Sequence, residues 1–102
     1  MAKIAKKKKT ESLYHAILAL ENLEECMAFF EDLCTVAELR AMEQRYEVAR
    51  LLDKGMIYSE ILEKTGASSA TISRVNRSLN NGSEGYHVVF QRLDAQPQEE
   101  EE

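Results

Sequence analysis

The stretch from Ile57 to Leu79, IYSEILEKTGASSATISRVNRSL, decides how the rest of the chain is read. It predicts two short helices with a tight bend between them. Ile61 and Leu62 give the first helix an apolar side, and Gly66 supplies the backbone freedom that a sharp turn needs. The second helix begins at a serine cap, Ser68 or Ser69, and runs to about Asn80. Ile61, Ala67, Ile72 and Val75 fall where a helix-turn-helix packs its two helices together. Ser69, Ala70, Ser73, Arg74, Asn76 and Arg77 are left pointing outward. Small side chains permit close approach to a DNA major groove, and Arg and Asn reach base edges or phosphates. A plain αα corner would need only the glycine turn. Here the spacing, the apolar pattern and the lack of any acid between Gly66 and Asn81 agree, and together they favour DNA binding.

The chain is 102 residues long, enough for one domain with one core. Its single proline and 44% apolar content suit a helical, globular protein. No run of about eighteen apolar residues occurs, so a membrane span is not expected. The basic start lacks the apolar stretch of a secretory signal. Cys26 and Cys34 lie within or beside an apolar helix and read as reduced core residues of a cytoplasmic protein.

Taken alone, a net charge of −5 argues against a nucleic-acid partner, but the charge is unevenly spread. Five lysines lie in the first nine residues, and Glu99 to Glu102 are all acidic. Residues 10–53 hold three arginines against ten acids, whereas residues 54–92 hold five bases against three acids. Screening acts over about 8 Å at physiological salt, so the local balance around the second short helix outweighs the total.

Taken in order, residues 1–11 are expected to form a basic, flexible arm, residues 12–94 a helical domain, and residues 95–102 an acidic tail of disordered composition. The lysine arm reads either as a solvated tail or as a sequence-blind neutraliser of phosphate. A first helix is predicted from about Ser12 to Asn22, with Leu13, Ile17 and Leu20 on one stripe. A second is predicted from about Asn22 to Leu33. There Leu23, Met27, Phe30 and Cys34 form one stripe, and Cys26, Phe29 and Leu33 another. A surface helix of a small monomer shows one stripe of roughly 100°. The excess implies a second contacting body, most simply another copy of the chain.

Thr35-Val36-Ala37-Glu38 is a capping-box pattern that opens a long helix, closed by Gly55. Leu39, Met42, Tyr46 and Ala49 recur on one side of it, and Val48, Leu51 and Leu52 add a second. After the helix-turn-helix, Asn81 to Gly85 reads as a loop. A last helix then carries Tyr86, Val89, Phe90 and Leu93 on one side.

Catalytic chemistry has no support. His15 and His87 stand far apart, neither at metal-ligand spacing from a cysteine, and no CxxC, HExxH or phosphate-cradling glycine loop occurs. Ser68, Ser69 and Ser73 have no histidine nearby in sequence to act as base. An enzyme is not expected.

The segment from Thr35 to Leu79 resembles the Trp repressor superfamily. The likeness rests on a capped helix ending in Leu51-Leu52-Asp53-Lys54-Gly55, then Thr65-Gly66-Ala67, then Ala70-Thr71-Ile72-Ser73-Arg74, with Asn76 to Leu79 at the right distance. KGMIYSEI and the lysine-rich start are similar to the YerC/YecD-type branch. The resemblance implies an all-α, intertwined homodimer of five to six helices, whose first helices interleave with those of the partner. It implies operator binding through the second helix of each helix-turn-helix, with half-sites about 34 Å apart. It also implies an effector pocket made by Thr35, Arg45, Arg74 and Ser78. Where Trp repressors place a glycine against the indole, this chain has Val75, which disfavours tryptophan. Arg45 and Arg74 would suit another small carboxylate; otherwise they pair with Glu38, Glu43, Glu47 or phosphates.

These readings converge on a dimeric, cytoplasmic, repressor-like DNA-binding regulator with double-stranded DNA and itself as partners. Ser69, Ala70 and Ser73 would approach bases, while Thr71, Arg74 and Arg77 contact phosphate or the base edges beyond, with Asn76 on the same helix. The alternative is a helical dimer that binds a protein partner, which the acidic total charge and the thin set of base-reading side chains favour.

Overall fold

The structure, a computed structural model, describes residues 10–96. These form six helices and no strand: α1 (Ser12–Leu18), α2 (Leu23–Leu33), α3 (Val36–Asp53), α4 (Tyr58–Thr65), α5 (Ser69–Asn81) and α6 (Gly85–Ala95). The all-α expectation holds. The basic arm up to residue 9 and the acidic run from residue 97 lie outside the described residues. The chain divides into two compact units, one through Leu39 and one from Arg40.

In the first unit, α1 stops at Leu18 rather than continuing to Asn22. The reason is local. Asn22 starts the next helix, its Oδ1 accepting from the Glu25 N–H at 2.9 Å, while the Glu25 carboxylate accepts from the Glu21 N–H at 2.9 Å. A residue capping α2 from extended backbone cannot also be the last turn of α1. Cys34, again extended, ends α2. Thr35 and Glu38 then close the predicted capping box in both directions: the Glu38 N–H reaches the Thr35 hydroxyl at 3.0 Å, and the Thr35 N–H reaches the Glu38 carboxylate at 2.9 Å. No residue of α1 or α2 is buried. Leu18 and Leu23 are 80% and 72% exposed, and Met27 and Leu33 are also exposed.

The second unit holds the core. Val48 and Ala49 from α3, Ile61 from α4, Ala67 from the turn, Ile72, Val75 and Leu79 from α5, and Phe90 from α6 form one buried cluster. Each large member contributes about 1.5–3 kcal/mol by leaving water. Leu51, Leu52, Met56 and Tyr86 pack against the cluster part-buried. Backbone bonds close α3, from the Met56 N–H to the Leu51 carbonyl (3.1 Å) and from the Gly55 N–H to that of Leu52 (2.9 Å). This is the Schellman arrangement. Asn81 proves to be the last residue of α5 and Gly85 the first of α6, so the expected loop shrinks to Gly82, Ser83 and Glu84.

Phe90 is ringed by aromatic and charged groups. Tyr46 meets it edge-on with centroids 5.8 Å apart, and Tyr86 stacks on it at 5.9 Å. The Arg50 guanidinium sits 4.6 Å from the ring centroid and donates to Asp94. That hydrogen bond raises the Arg50 pKa above its ordinary value. It joins α3 to the last turn of α6.

Candidate nucleic-acid interface

Three side-chain bonds shape the bend between α4 and α5. Gly66 takes the left-handed conformation (φ 74°) that ends α4, and its N–H returns to the Leu62 carbonyl at 2.9 Å. The Thr65 hydroxyl donates to the Ile61 carbonyl (2.8 Å) and accepts from the Ala67 N–H (3.1 Å), bridging the turn. From α3, the Gln44 amide donates to the Thr65 carbonyl at 3.1 Å, which fixes the turn against the long helix. Ser68 is the cap of α5, its hydroxyl accepting from the Thr71 N–H at 3.1 Å. Of the two serines that suit a cap by sequence, the structure selects Ser68 and frees Ser69.

α5 divides cleanly into two faces. Ile72, Val75 and Leu79 are buried at a spacing of three and four residues. Ser69, Ala70, Ser73, Arg74 and Arg77 are exposed on the rest of the surface, while Thr71 and Asn76 are half-buried at its margins. The Thr71 hydroxyl accepts from that of Ser68 at 3.1 Å, so it is already engaged at the cap. The Asn80 amide donates to both the backbone carbonyl and Oδ1 of Asn76, each at 3.0 Å. This leaves the Asn76 amide N–H groups as the outward donors at that position.

Electrostatically the face is bare. Among the described residues the ion pairs are His15–Glu11 and Arg50–Asp94, so neither Arg74 nor Arg77 has an acidic partner within 4.0 Å. An exposed pair of guanidinium groups on an acid-free helix suits phosphate oxygens.

The four candidate effector residues have varied surroundings. Thr35, in the first unit, has its hydroxyl committed to the α3 cap. Arg45 is half-buried, whereas Arg74 and Ser78 are exposed. Among the described residues no hydrogen bond or ion pair joins these three, and no ion pair ties Arg45 or Arg74 to Glu38, Glu43 or Glu47. Val75 is 2% exposed and packs within the core, so the space a glycine would leave there is filled.

Besides the Arg50–Asp94 pair, sequence reasoning missed the contacts of Gln44 to Thr65, Asn80 to Asn76, and His87 to Leu79. The His87 Nε2 lies 2.7 Å from the Leu79 carbonyl oxygen. Only the Asn pair, four residues apart on one helix, had a readable signal. Among the described residues no group of three or more His, Cys, Asp or Glu side chains could hold a metal ion, and no helix is long and apolar enough to cross a membrane.

Comparison with known proteins places this geometry among relatives. The Trp repressor protein family model matches residues 8–94. The chain is 49% identical to the protein YerC of Bacillus subtilis over 86 residues, covering 84% of this chain and 83% of that one. Its fold is similar to the crystal structure of a TrpR-like protein from Eubacterium eligens, with TM-score 0.80 and 53% identity, over 86% of this chain and 91% of that one. A Trp repressor candidate from Staphylococcus aureus is similar at TM-score 0.80 and 45% identity, over 86% and 88% of the two chains.

Proposed function

Since this chain belongs to the Trp repressor family, we propose that it is a transcriptional regulator that binds double-stranded DNA as a homodimer, reading sequence with α5. The observation that carries the DNA reading is the outer face of α5. It presents Ser69, Ala70 and Ser73 near its start and the unpaired guanidinium groups of Arg74 and Arg77 beyond them, with no acid on the helix. Exposed small residues let the helix approach base edges, and arginines one turn further along meet the phosphates. The two kinds of contact then have separate roles: the serines choose the sequence and the arginines supply affinity.

Dimerisation is supported by the first unit. α1 and α2 carry apolar stripes yet bury no residue in the single chain. Leaving Leu18, Leu23, Met27 and Leu33 in water forfeits the hydrophobic stabilisation that normally holds such helices in place. A second copy supplies the missing surface and brings two α5 helices to one duplex.

A salt titration tests the DNA reading against a protein-interaction module of the same fold. Affinity for a labelled duplex should fall steeply between roughly 50 and 200 mM salt as bound phosphates release their counterions. A flat response would instead favour a protein partner.

A further inference from the structure

We propose that His87 is a positioning residue for α5, setting how accurately that helix reads base edges; this rests on the DNA-binding reading above. The His87 Nε2 lies 2.7 Å from the Leu79 carbonyl oxygen, in a part-buried contact between α6 and the end of α5. A carbonyl can only accept, so the ring nitrogen facing it carries the proton. The Gly82 N–H already bonds the Ser78 carbonyl at 2.9 Å, and the Leu79 carbonyl is the next one that the helix cannot satisfy from its own backbone. His87 satisfies it from the neighbouring helix.

The contact belongs to a chain of ties running back to α3. α6 is held there by the Arg50–Asp94 pair near its far end and by Phe90, which is 2% exposed. The start of α5 is referred to α3 as well, through the Gln44 bond to the Thr65 carbonyl. Both ends of the reading helix are thus fixed to one long helix: the first through Gln44, the last through His87 and α6. The entry into α6 is itself constrained, because Glu84 adopts a left-handed conformation (φ 73°) that a non-glycine residue avoids unless its surroundings impose it.

Base contacts need placement to within about 0.5 Å, whereas phosphate contacts carry no sequence information and tolerate more. Loosening the far end of α5 should therefore reduce discrimination while leaving sequence-blind binding in place. The test compares the wild-type chain with His87→Gln, whose amide can still donate to the carbonyl, and with His87→Asn, whose shorter amide cannot reach it. Each is titrated with the duplex that wild type selects from a random pool and with a scrambled duplex of equal length. In His87→Asn the specific-to-scrambled ratio should fall by roughly two- to tenfold, the factor for one neutral hydrogen bond. The salt slope should stay unchanged, and His87→Gln should retain the ratio.

Amide exchange in the DNA-free protein gives a second readout. The end of α5 should exchange faster in His87→Asn and not in His87→Gln. Equal losses on both duplexes, a His87→Gln variant as impaired as His87→Asn, or unchanged exchange in His87→Asn each overturns the proposal. A wild-type chain that binds no duplex overturns the DNA reading and this proposal together. Binding with full discrimination in His87→Asn overturns this proposal alone.

Discussion

Thr35 and Glu38 satisfy each other across the start of α3: the hydroxyl of one accepts the N–H of the other at 3.0 Å, and the carboxylate accepts in return at 2.9 Å. Both groups lie at the surface, so their contribution is to the helix end rather than to a core. Thr35→Ala should lower unfolding stability by about 1 kcal/mol, whereas Thr35→Ser, whose hydroxyl caps at least as well, should leave it unchanged. Denaturant melts of the two variants check this. An alanine variant as stable as wild type would mean that the cap does not stabilise α3.

Gly82 and Gly85 lie three residues apart but should respond in opposite ways to alanine. A Cβ at Gly82 would come 2.3 Å from the Ser78 carbonyl oxygen, against backbone that cannot swing aside. At Gly85 it would meet nothing within 4 Å. Gly82→Ala should destabilise by about 1–3 kcal/mol as the end of α5 shifts. Gly85→Ala should be neutral or mildly stabilising, because alanine is the better helix former. Thermal melts of both variants suffice.

Glu84 is the one non-glycine residue with positive φ among the described residues. A left-handed conformation costs an L-residue about 1–2 kcal/mol. Glycine at that position would remove the strain but add roughly 0.5–1 kcal/mol of chain entropy to be lost on folding. The strain is the larger quantity, so Glu84→Gly should stabilise the protein by about 0.5–1 kcal/mol on these magnitudes. A destabilised variant would show that the Glu84 side chain makes a contribution larger than the strain.

The turns at either end of α5 mark what is legible in the sequence and what is not. The capping box, the Gly66 bend and the buried set Ile61, Ala67, Ile72 and Val75 can all be read, because each depends on residues a few positions apart with strong local preferences. Asn22 is ambiguous, since an asparagine after an apolar stripe ends one helix or starts another equally well; it starts α2. The ties at His87 and Arg50 leave no trace in the pattern. Arg50 meets Asp94 across 44 residues, and His87 meets Leu79 only because the backbone reverses at Glu84. Periodicity carries no information about either. It does identify the outward residues of α5 as a surface; the division proposed above into base and phosphate contacts rests on side-chain length and charge.

Arg77 and Ser73 test that division. Arg77→Ala should weaken binding to all duplexes alike and reduce the salt slope by about one unit for each phosphate it no longer neutralises. Ser73→Ala should leave the slope alone and change which duplex is preferred. Filter or fluorescence titrations at several salt concentrations separate the two. Identical losses on selected and random duplexes in both variants would contradict separate roles.

Met27 tests the second copy. It is 54% exposed in the single chain, where a charge should be harmless. If α2 is buried against a partner, Met27→Glu places an unpaired carboxylate in that interface, at a cost of roughly 3–5 kcal/mol. Sedimentation equilibrium should then show wild type as a dimer at micromolar concentration and the variant dissociating. A folded wild-type monomer would remove the basis for paired reading helices.

Selection of bound duplexes from a random pool tests the central claim most directly, that two copies of α5 read one duplex. A palindromic consensus with half-sites about one helical turn apart, near 10 base pairs centre to centre, is expected. A bound pool with no enriched sequence, or with a single half-site and no repeat, would contradict it.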